Sequence, residues 1–519
     1  MTDAREDRAY LPVGLDVRGR PCLVVGGGHV GWRKTQDLLA AGAVVTVISP
    51  HFIDELRSAP GSVTLVEKEF TRDDVAGMFL VVAATGDEQV NRRVHEAARD
   101  AGILVNVVDD AGLSDFIFPS VLSRGLFQVA VLTGGASPTL GQRVRDRLAA
   151  EFGPEYGEWA ALLAAARPRV RRAVDDPVTR RRVFASLACE DVLAAIRTGG
   201  AAGFEEKVAA LLGQYGRLYL GTRGSALARA QADTAAKALA ALGIGTGIEQ
   251  VIIKTTGDRG AALGTVGLFV REIEHALLAG EIDLAVHSLK DLPVELPPGL
   301  SLAAVLARDD PRDVLVSRDG RELRGLRPGA RVGTSSLRRR AEIKAIRPDL
   351  EVVELRGNVD TRLRKLDNRE VDALVLAGAA LVRLGWQDRV TEWLAPQEFT
   401  PAPGQGALAI EARAGWEKLL SPLDHAATRA AVEAERAFLA AMGGGCALPL
   451  GAYGTVGGSE LHLHAFVGTP DGARVMRANL SGPSSEPRRL GESLARRLLD
   501  DGAGGLLAAA RWNEGRVSG

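Results

Sequence analysis

At 519 residues and 46% hydrophobic content the chain has the material for well-formed cores, enough for about three to five domains of roughly 100–200 residues each. Its 64 basic residues balance 65 acidic ones, which gives no case for a nucleic-acid or membrane-surface partner; no apolar run is long enough to span a bilayer, and the charged stretch Met1–Tyr10 lacks the apolar segment of a secretory signal. Three cysteines, Cys22, Cys189 and Cys446, exclude a disulfide framework and point to a reducing, cytoplasmic setting.

Pro21-Cys22-Leu23-Val24-Val25 reads as a short buried strand, and Gly26-Gly27-Gly28-His29-Val30-Gly31 follows it directly, ahead of a helical run from Trp32 to Ala41. A G-x-G-x-x-G loop between strand and helix gives a tight turn, close approach of a pyrophosphate and close helix–strand packing. Further strands at Val44–Ile48, Phe79–Ala84 and Ile103–Val108, with a helix over Asn91–Asp100, make a doubly wound parallel sheet of the Rossmann type. A dinucleotide is therefore expected at Gly26, Gly28, His29, Val30 and Gly31, with Ser49, Thr85 and Asn106 at the carboxyl ends of later strands. Ser49-Pro50 stands where an acidic residue would hold the adenosine ribose, so the choice between NAD and NADP stays open. Asp109 lies beside Asn106, where a carboxylate serves as a general base or merely caps a loop. Thr133-Gly134-Gly135-Ala136-Ser137-Pro138 opens a helix at about Thr139.

These stretches, with Asp115-Phe116-Ile117-Phe118-Pro119-Ser120, resemble the N-terminal module of siroheme synthase, the precorrin-2 dehydrogenase/sirohydrochlorin ferrochelatase family, over Tyr10 to Leu212. The resemblance implies NAD-dependent oxidation of precorrin-2 to sirohydrochlorin, with Asp109 at the catalytic aspartate. Some members also insert iron or cobalt; no Cys/His spacing here marks a metal site, so that activity and its metal rest on resemblance alone. The family's phosphorylatable serine falls at Thr133. Residues 151–212 read as helical, with arginine runs at Arg167–Arg172 and Arg180–Arg182. Such a face is ordinarily just solvated; the resemblance implies a homodimer built by this segment, with its arginines facing tetrapyrrole carboxylates.

Gly199-Gly200-Ala201-Ala202-Gly203 reads as a linker or a helix break, and a new pattern begins at Leu218. Strand Leu218–Thr222 turns through Arg223-Gly224-Ser225 into a helix over Ala226–Leu242, and a strand follows at Glu249–Thr255. Strand Ile282–Ser288 runs into Leu289-Lys290-Asp291-Leu292-Pro293, where Asp291 is either half of a surface ion pair or a cleft carboxylate able to stabilise a cation and move protons. Val332-Gly333-Thr334-Ser335-Ser336-Leu337-Arg338-Arg339-Arg340 and Leu355-Arg356-Gly357-Asn358-Val359-Asp360-Thr361-Arg362 place hydroxyls and arginines where strands become helices. Helix N-termini attract anions and arginine grips carboxylates with paired hydrogen bonds. Arg223, Arg338, Arg339, Arg356, Arg362 and Arg383, at matching places in two αβ lobes, argue for a ligand rich in carboxylates. Nucleic acid is disfavoured by the missing stacking aromatics and basic excess. Gly443-Gly444-Gly445-Cys446, taken alone, reads as a turn carrying a small buried thiol.

From Leu218 to about Asn513 the chain resembles hydroxymethylbilane synthase (porphobilinogen deaminase). The resemblance rests on Lys254-Thr255-Thr256-Gly257-Asp258, Gly267-Leu268-Phe269-Val270, Ala285–Pro293, the two arginine motifs, Pro401-Ala402-Pro403-Gly404-Gln405-Gly406-Ala407 and the glycine–cysteine turn. It implies two lobes like those of periplasmic binding proteins, a small α+β third domain, and a dipyrromethane cofactor joined by a thioether to Cys446. Asp291 matches the acid/base, Phe269 the aromatic beside the cofactor, and Arg223, Ser225, Lys290, Ser336, Arg338, Arg339, Arg356, Arg362, Arg383 and Gln405 the groups that hold acetate, propionate or cofactor. The lysine-bearing lid of the family is here Ala261–Phe269, apolar at both lysine positions, with Arg271 in place of a lysine; reduced rather than abolished turnover is expected.

The sequence thus describes an α/β chain in five parts. These are a Rossmann-like domain (1–148), a helical dimerisation segment (149–215), a first synthase lobe (216–306 with 407–424), a second lobe (307–406) and a cofactor-bearing α+β domain (425–519). The expected function is bifunctional tetrapyrrole synthesis from small-molecule substrates. The alternatives are lobes that bind carboxylates with weakened deaminase activity, or an N-terminal half acting mainly as a dimerisation scaffold.

Overall fold

The computed structural model describes residues 10–59, 63–134, 136–254, 270–443 and 448–507, and its contacts divide the chain into two compact units, Met1–Ala160 and Ala161–Gly519. In the first, β1 (Pro21–Val25) passes through the glycine loop into α1 (His29–Ala40). There follow β2 (Val44–Ser49), the one-turn α2 (Asp54–Arg57), β3 (Val63–Glu67), β4 (Leu80–Ala83), α3 (Glu88–Asp100) and β5 (Leu104–Val107). All five strands run parallel in the order β3-β2-β1-β4-β5. Successive side chains of a strand face opposite ways. Leu23 and Val25 accordingly enter one core with Val94, Ala97 and Ala98 of α3, and Cys22 and Val24 the other with Leu38 of α1. Burial on both faces is why these strands read as unbroken apolar runs. The strand order reverses between β1 and β4, so a crevice opens beyond their carboxyl ends. The hairpin of β6 (Ser120–Arg124) and β7 (Phe127–Val131) and the helix α4 (Pro138–Glu151) follow.

Helices α5 (Glu155–Ala173), α6 (Pro177–Leu187) and α7 (Glu190–Tyr215) come next. The glycine run over 199–203 is a break inside α7 and not a linker: Gly200 takes φ 55°, ψ −140°. A Cβ on Gly203 would lie 2.2 Å from the Ala195 carbonyl oxygen, so only glycine lets the two halves meet so closely.

The chain then builds β8 (Arg217–Thr222), α8 (Ala226–Ala241), β9 (Gly247–Ile252), α9 (Arg271–Leu278), β10 (Leu284–Ser288), β11 (Leu300–Val305) and β12 (Asp313–Ser317). After these come β13 (Arg331–Gly333), α10 (Leu337–Ile346), β14 (Glu351–Val353), α11 (Val359–Asp367), β15 (Ala373–Ala377), α12 (Gly378–Arg383), β16 (Glu392–Trp393), β17 (Leu408–Arg413) and the one-turn α13 (Glu417–Leu420). Two five-stranded sheets result, β11-β17-β10-β8-β9 and β14-β13-β15-β12-β16. Traced from opposite edges they share one plan: three parallel strands joined to an antiparallel one that arrives from the other sheet. The backbone therefore crosses between the sheets twice, at 306–312 and 394–407. Last come α14 (Ala426–Ala441), β18 (Leu450–Gly457), β19 (Glu460–Gly468), β20 (Val475–Pro483) and α15 (Pro487–Asp500). Phe438 of α14 and Leu494 and Leu498 of α15 pack on Leu461 and Leu463 of the antiparallel sheet.

The basic helical face turns partly inward, at Arg169 and Arg172. Arg169 donates to Glu205 Oε2 and Oε1 at 2.9 and 2.7 Å, and the Arg172 guanidinium lies 4.1 Å from the Tyr219 ring centroid. Glu205 also accepts from Arg413 Nε at 2.9 Å and from Trp416 Nε1 at 2.7 Å, and Arg413 reaches Asp283 at 3.2 Å. Two arginines and two carboxylates thus close a nearly neutral buried set joining α5 and α7 to the first of these two sheets. Although burial alone would raise it, the flanking Arg169 and Arg413 hold the Glu205 carboxyl down at about 2. With a folded value below the ordinary 4.5, its contribution is present above pH 4.5 and lost as pH falls through about 2. Glu205→Ala should destabilise this unit by about 3 kcal/mol or more, since it strands two buried guanidinium groups. Urea unfolding with hydrogen exchange at α7 and β17 measures this, and an unchanged midpoint would contradict it.

Candidate functional site

In the first unit the glycine loop is shaped as the sequence predicts. Gly26 takes φ +130°, and a Cβ there would sit 2.4 Å from the Ala84 carbonyl oxygen. Open space surrounds Gly28, which stands at the N-terminus of α1 without a side-chain cap. His29 and Val30 are exposed on the first turn. Uncapped amides facing open space are what a pyrophosphate requires. Ser49 is buried and accepts from the His51 amide at 3.4 Å. Thr85 Oγ1 shares a 2.8 Å hydrogen bond with Asn91 Oδ1 in the loop that opens α3. Asn106 is likewise buried, its Nδ2 donating to the Phe116 carbonyl at 2.9 Å, so it underpins the following loop instead of lining the crevice. That loop holds Asp109 exposed and at φ 64°, in the left-handed region that aspartate enters more readily than most side chains. Lys34 Nζ sits 3.8 Å from the Phe118 ring centroid; burial lowers its pKa, and the charges of Asp37 and Asp109 oppose the shift.

In the second unit the site forms where the two crossings meet the strand ends. Ser225 caps α8 and Ser336 caps α10, accepting from the amides of Ala228 and Arg339 at 3.3 and 3.4 Å. These are equivalent places in the two sheets, and each hydroxyl keeps its proton to donate. Arg223 lies partly buried in the turn before Ser225. Asp313, fully buried at the start of β12, pairs with Arg338 and with Arg339, both at 2.7 Å. Gln405 on the second crossing donates to Asp313 at 2.9 Å and accepts from Lys290 Nζ at 3.2 Å. Arg338 also reaches Glu342 at 3.0 Å. Arg362 donates to Ser335 Oγ at 3.2 Å, Arg383 to Asp309 at 2.8 Å, and the exposed Arg356 to Glu354 at 2.8 Å.

Lys290, Arg338 and Arg339 therefore gather around the buried Asp313, Arg338 and Arg477 meet the buried Glu342, and Arg362 stands close enough to Arg339 to feel its charge. Desolvation brings Lys290 down to about 8, with Arg339 and Arg338 adding to it against the charge of Asp291. Desolvation and Arg339 likewise bring Arg362 down to about 10. Asp313 moves the other way: burial opposes its ionisation, but the two arginines hold it well below the usual carboxylate range. Cations held below their usual range by desolvation favour an anionic ligand beside them. Asp291 ends the single turn that follows β10 and is exposed at this place. Phe269, Cys446 and the lid Ala261–Phe269 lie outside the described residues. Among the described residues no group of three or more His, Cys, Asp or Glu is placed to hold a metal ion.

The sequence reading missed Arg308, Asp313, Glu342 and Glu435. Glu435 is wholly buried and accepts from Arg308 on the first crossing, from the Gly404 amide on the second at 2.6 Å and from the Gly454 amide on β18 at 2.8 Å. Its signal was present: a carboxylate inside the apolar stripe Ala431, Phe438 and Met442.

Family models match along the chain: "Porphobilinogen deaminase, dipyromethane cofactor binding domain" over 218–421 and "Porphobilinogen deaminase, C-terminal domain" over 429–500. The porphobilinogen deaminase of Roseiflexus castenholzii is 51% identical over 299 residues, covering 56% of this chain and 98% of its own. The chain belongs to the porphobilinogen deaminase family. That of Thermus thermophilus is 49% identical over 296 residues, again 56% of this chain and 98% of its own. Ahead of the deaminase part, "Putative NAD(P)-binding" matches 13–120 and "Sirohaem synthase dimerisation region" matches 155–212. A solved structure described as SirC, precorrin-2 dehydrogenase, is 25% identical, covering 38% of this chain and 98% of its own with a TM-score of 0.34.

Because Lys290 loses its proton near pH 8, capture of a carboxylated ligand by the deaminase cleft should weaken as pH rises through that value. KM for porphobilinogen should climb by up to about tenfold per pH unit there, and Lys290→Arg, charged throughout, should flatten the climb. An identical climb in the variant would remove Lys290 from ligand capture.

Proposed function

We propose that the chain is a bifunctional tetrapyrrole enzyme. Residues 218–500 would join four porphobilinogen units into hydroxymethylbilane with release of ammonia, and the N-terminal module would oxidise precorrin-2 to sirohydrochlorin with NAD. The observation that carries the first activity is the net-positive cleft beside an exposed Asp291. The building block and product bear acetate and propionate groups, and this cleft offers Ser225, Ser336, Lys290 and Arg362 to them, with Arg223, Arg356 and Arg383 at the surrounding strand and helix ends. Arg338, Arg339 and Gln405 serve on the ion pair with Asp313 that fixes the cleft. The two similar sheets support lobes of the periplasmic-binding-protein kind. The positive cleft also fits a dipyrromethane, whose carboxylates it would hold, with Cys446 as its thioether anchor and Phe269 beside it. When bound, that group supplies a free pyrrole α-carbon on which the chain grows. Asp291 stabilises the cation developing on the substrate pyrrole and carries its protons away.

The second activity rests on the parallel sheet, the uncapped α1 amides beside Gly28 and the exposed Asp109. Gly26, Gly28, His29, Val30 and Gly31 would hold NAD, which takes up a hydride when bound, while Asp109 takes a proton from the substrate. Insertion of iron or cobalt into the product draws on the family resemblance alone. A homodimer through residues 155–212 is supported by the match to a dimerisation region, and a cytoplasmic setting by the sparse cysteines.

Asp291→Asn should lower porphobilinogen consumption by about 100-fold or more with NADH formation from precorrin-2 intact, and Asp109→Ala should do the reverse. If purified wild-type protein consumes no porphobilinogen, the lobes bind carboxylates without catalysis. If Asp109→Ala leaves precorrin-2 oxidation unchanged, the N-terminal half is a scaffold.

A further inference from the structure

The Asp291 carboxylate is exposed, and among the described residues none donates a hydrogen bond to it. A carboxylate without bonds of its own is aimed by its backbone alone. On the N-terminal side that backbone is held, since the Leu289 amide donates to the Ala407 carbonyl at 3.0 Å and Lys290 is tied to Gln405. On the C-terminal side the Leu292 amide closes the turn onto the Leu289 carbonyl at 3.2 Å. Pro293 then has no amide to give.

Leu292 is buried against Leu289, Ala407 and Val432, and among the described residues the side-chain hydrogen bonds to this stretch of backbone come from one guanidinium. Arg436, on α14, donates to three successive carbonyls, those of Leu292, Pro293 and Val294, at 3.1, 2.6 and 3.0 Å. Its planar fork of donors suits this as a lysine ammonium would not. The helix it stands on is itself anchored, because the neighbouring Glu435 fastens α14 to both crossings and to β18. The loop after Asp291 is thus referenced to the same helix that runs, through Met442, into Gly443 at φ 94°.

We propose that Arg436 is a positioning residue for the deaminase reaction, fixing the backbone that aims Asp291 and holding it at a set place relative to α14. The inference rests on the reading of Asp291 as the acid/base given above. An arginine that only staples α14 to the first lobe would cost stability when removed and leave the chemistry of the folded enzyme alone. A positioning residue shifts kcat and its pH dependence with little change in KM, because substrate carboxylates are held elsewhere.

The full-length chain carrying Arg436→Gln, Arg436→Lys or Asp291→Asn would be compared with wild type in porphobilinogen turnover across pH and in thermal unfolding. Arg436→Gln should lower kcat by about 10- to 100-fold, the scale of a misplacement near 1 Å, with KM within about threefold and the pH profile of kcat displaced. Arg436→Lys should recover part of the loss. Wild-type kcat and pH profile in Arg436→Gln, with only the melting temperature lowered, would overturn the proposal. Should that variant not fold, Arg436→Lys decides: reduced kcat with a displaced profile supports it, and wild-type kinetics overturn it. If Asp291→Asn retains turnover, the acid/base reading itself falls; if Asp291→Asn is inactive while both Arg436 variants are normal, the positioning role alone falls.

Discussion

One buried carboxylate organises the deaminase cleft. Asp313 ends the first crossing, opens β12, and at 0% exposure takes hydrogen bonds or ion pairs from Arg338, Arg339 and Gln405. The arginines stand on the first turn of α10 and the glutamine on the second crossing, so a single acidic group fixes a helix start and both connections between the sheets. An unpaired guanidinium in such surroundings is far costlier than the pair is favourable. The arrangement therefore holds as a set or fails as a set. Lys290 joins the set through Gln405, and Asp291 is its neighbour in the chain. The proposed substrate capture and proton transfer would be adjacent because they share this footing.

The legible parts of the molecule are those whose signal is local. The strands around the glycine loop read as apolar runs because both faces of the sheet are covered, and Gly26 and Gly31 announce a turn that a Cβ would obstruct. Ser225 and Ser336 were visible as hydroxyls between strand and helix. What stayed hidden depends on partners far apart in the chain. Glu205 and Arg413 are 208 residues apart, and no periodicity connects them. Position at a strand end located Arg338 and Arg339 but not the direction of their guanidinium groups, which turn into the protein toward Asp313. Arg169 and Arg172 were invisible for the same reason, since a run of arginines reads as a solvated face whether or not two of them point inward. Asn106 was legible as a polar residue at the end of β5, yet its bonds to Phe116 and Ser114 belong to the loop beneath the crevice. Glu435 and Asp313 were the clues available, each a charge set into an apolar pattern.

The helical segment gives the fusion a physical basis. Residues 161–212, which make up most of the match to a sirohaem synthase dimerisation region, belong to the same compact unit as the deaminase sheets, through a buried set of charges shared by Arg169, Glu205, Arg413 and Asp283. Arg413 closes β17 and bonds the carbonyls of Leu277 and Ile282, so α7 is fastened to a strand central to the first lobe. A flexible tether needs no such bonds, and a loosely linked pair of enzymes would not enclose charges at their seam. The tie acts on architecture.

Central to the proposed function is Cys446 as the anchor of a permanently attached pyrrole primer, which the net-positive cleft beside Asp291 would receive. Intact mass of the purified active chain, beside Cys446→Ser, addresses it. The wild type should exceed the polypeptide mass by two pyrrole units and the variant should match the bare chain. An active wild-type protein at the bare polypeptide mass would contradict it.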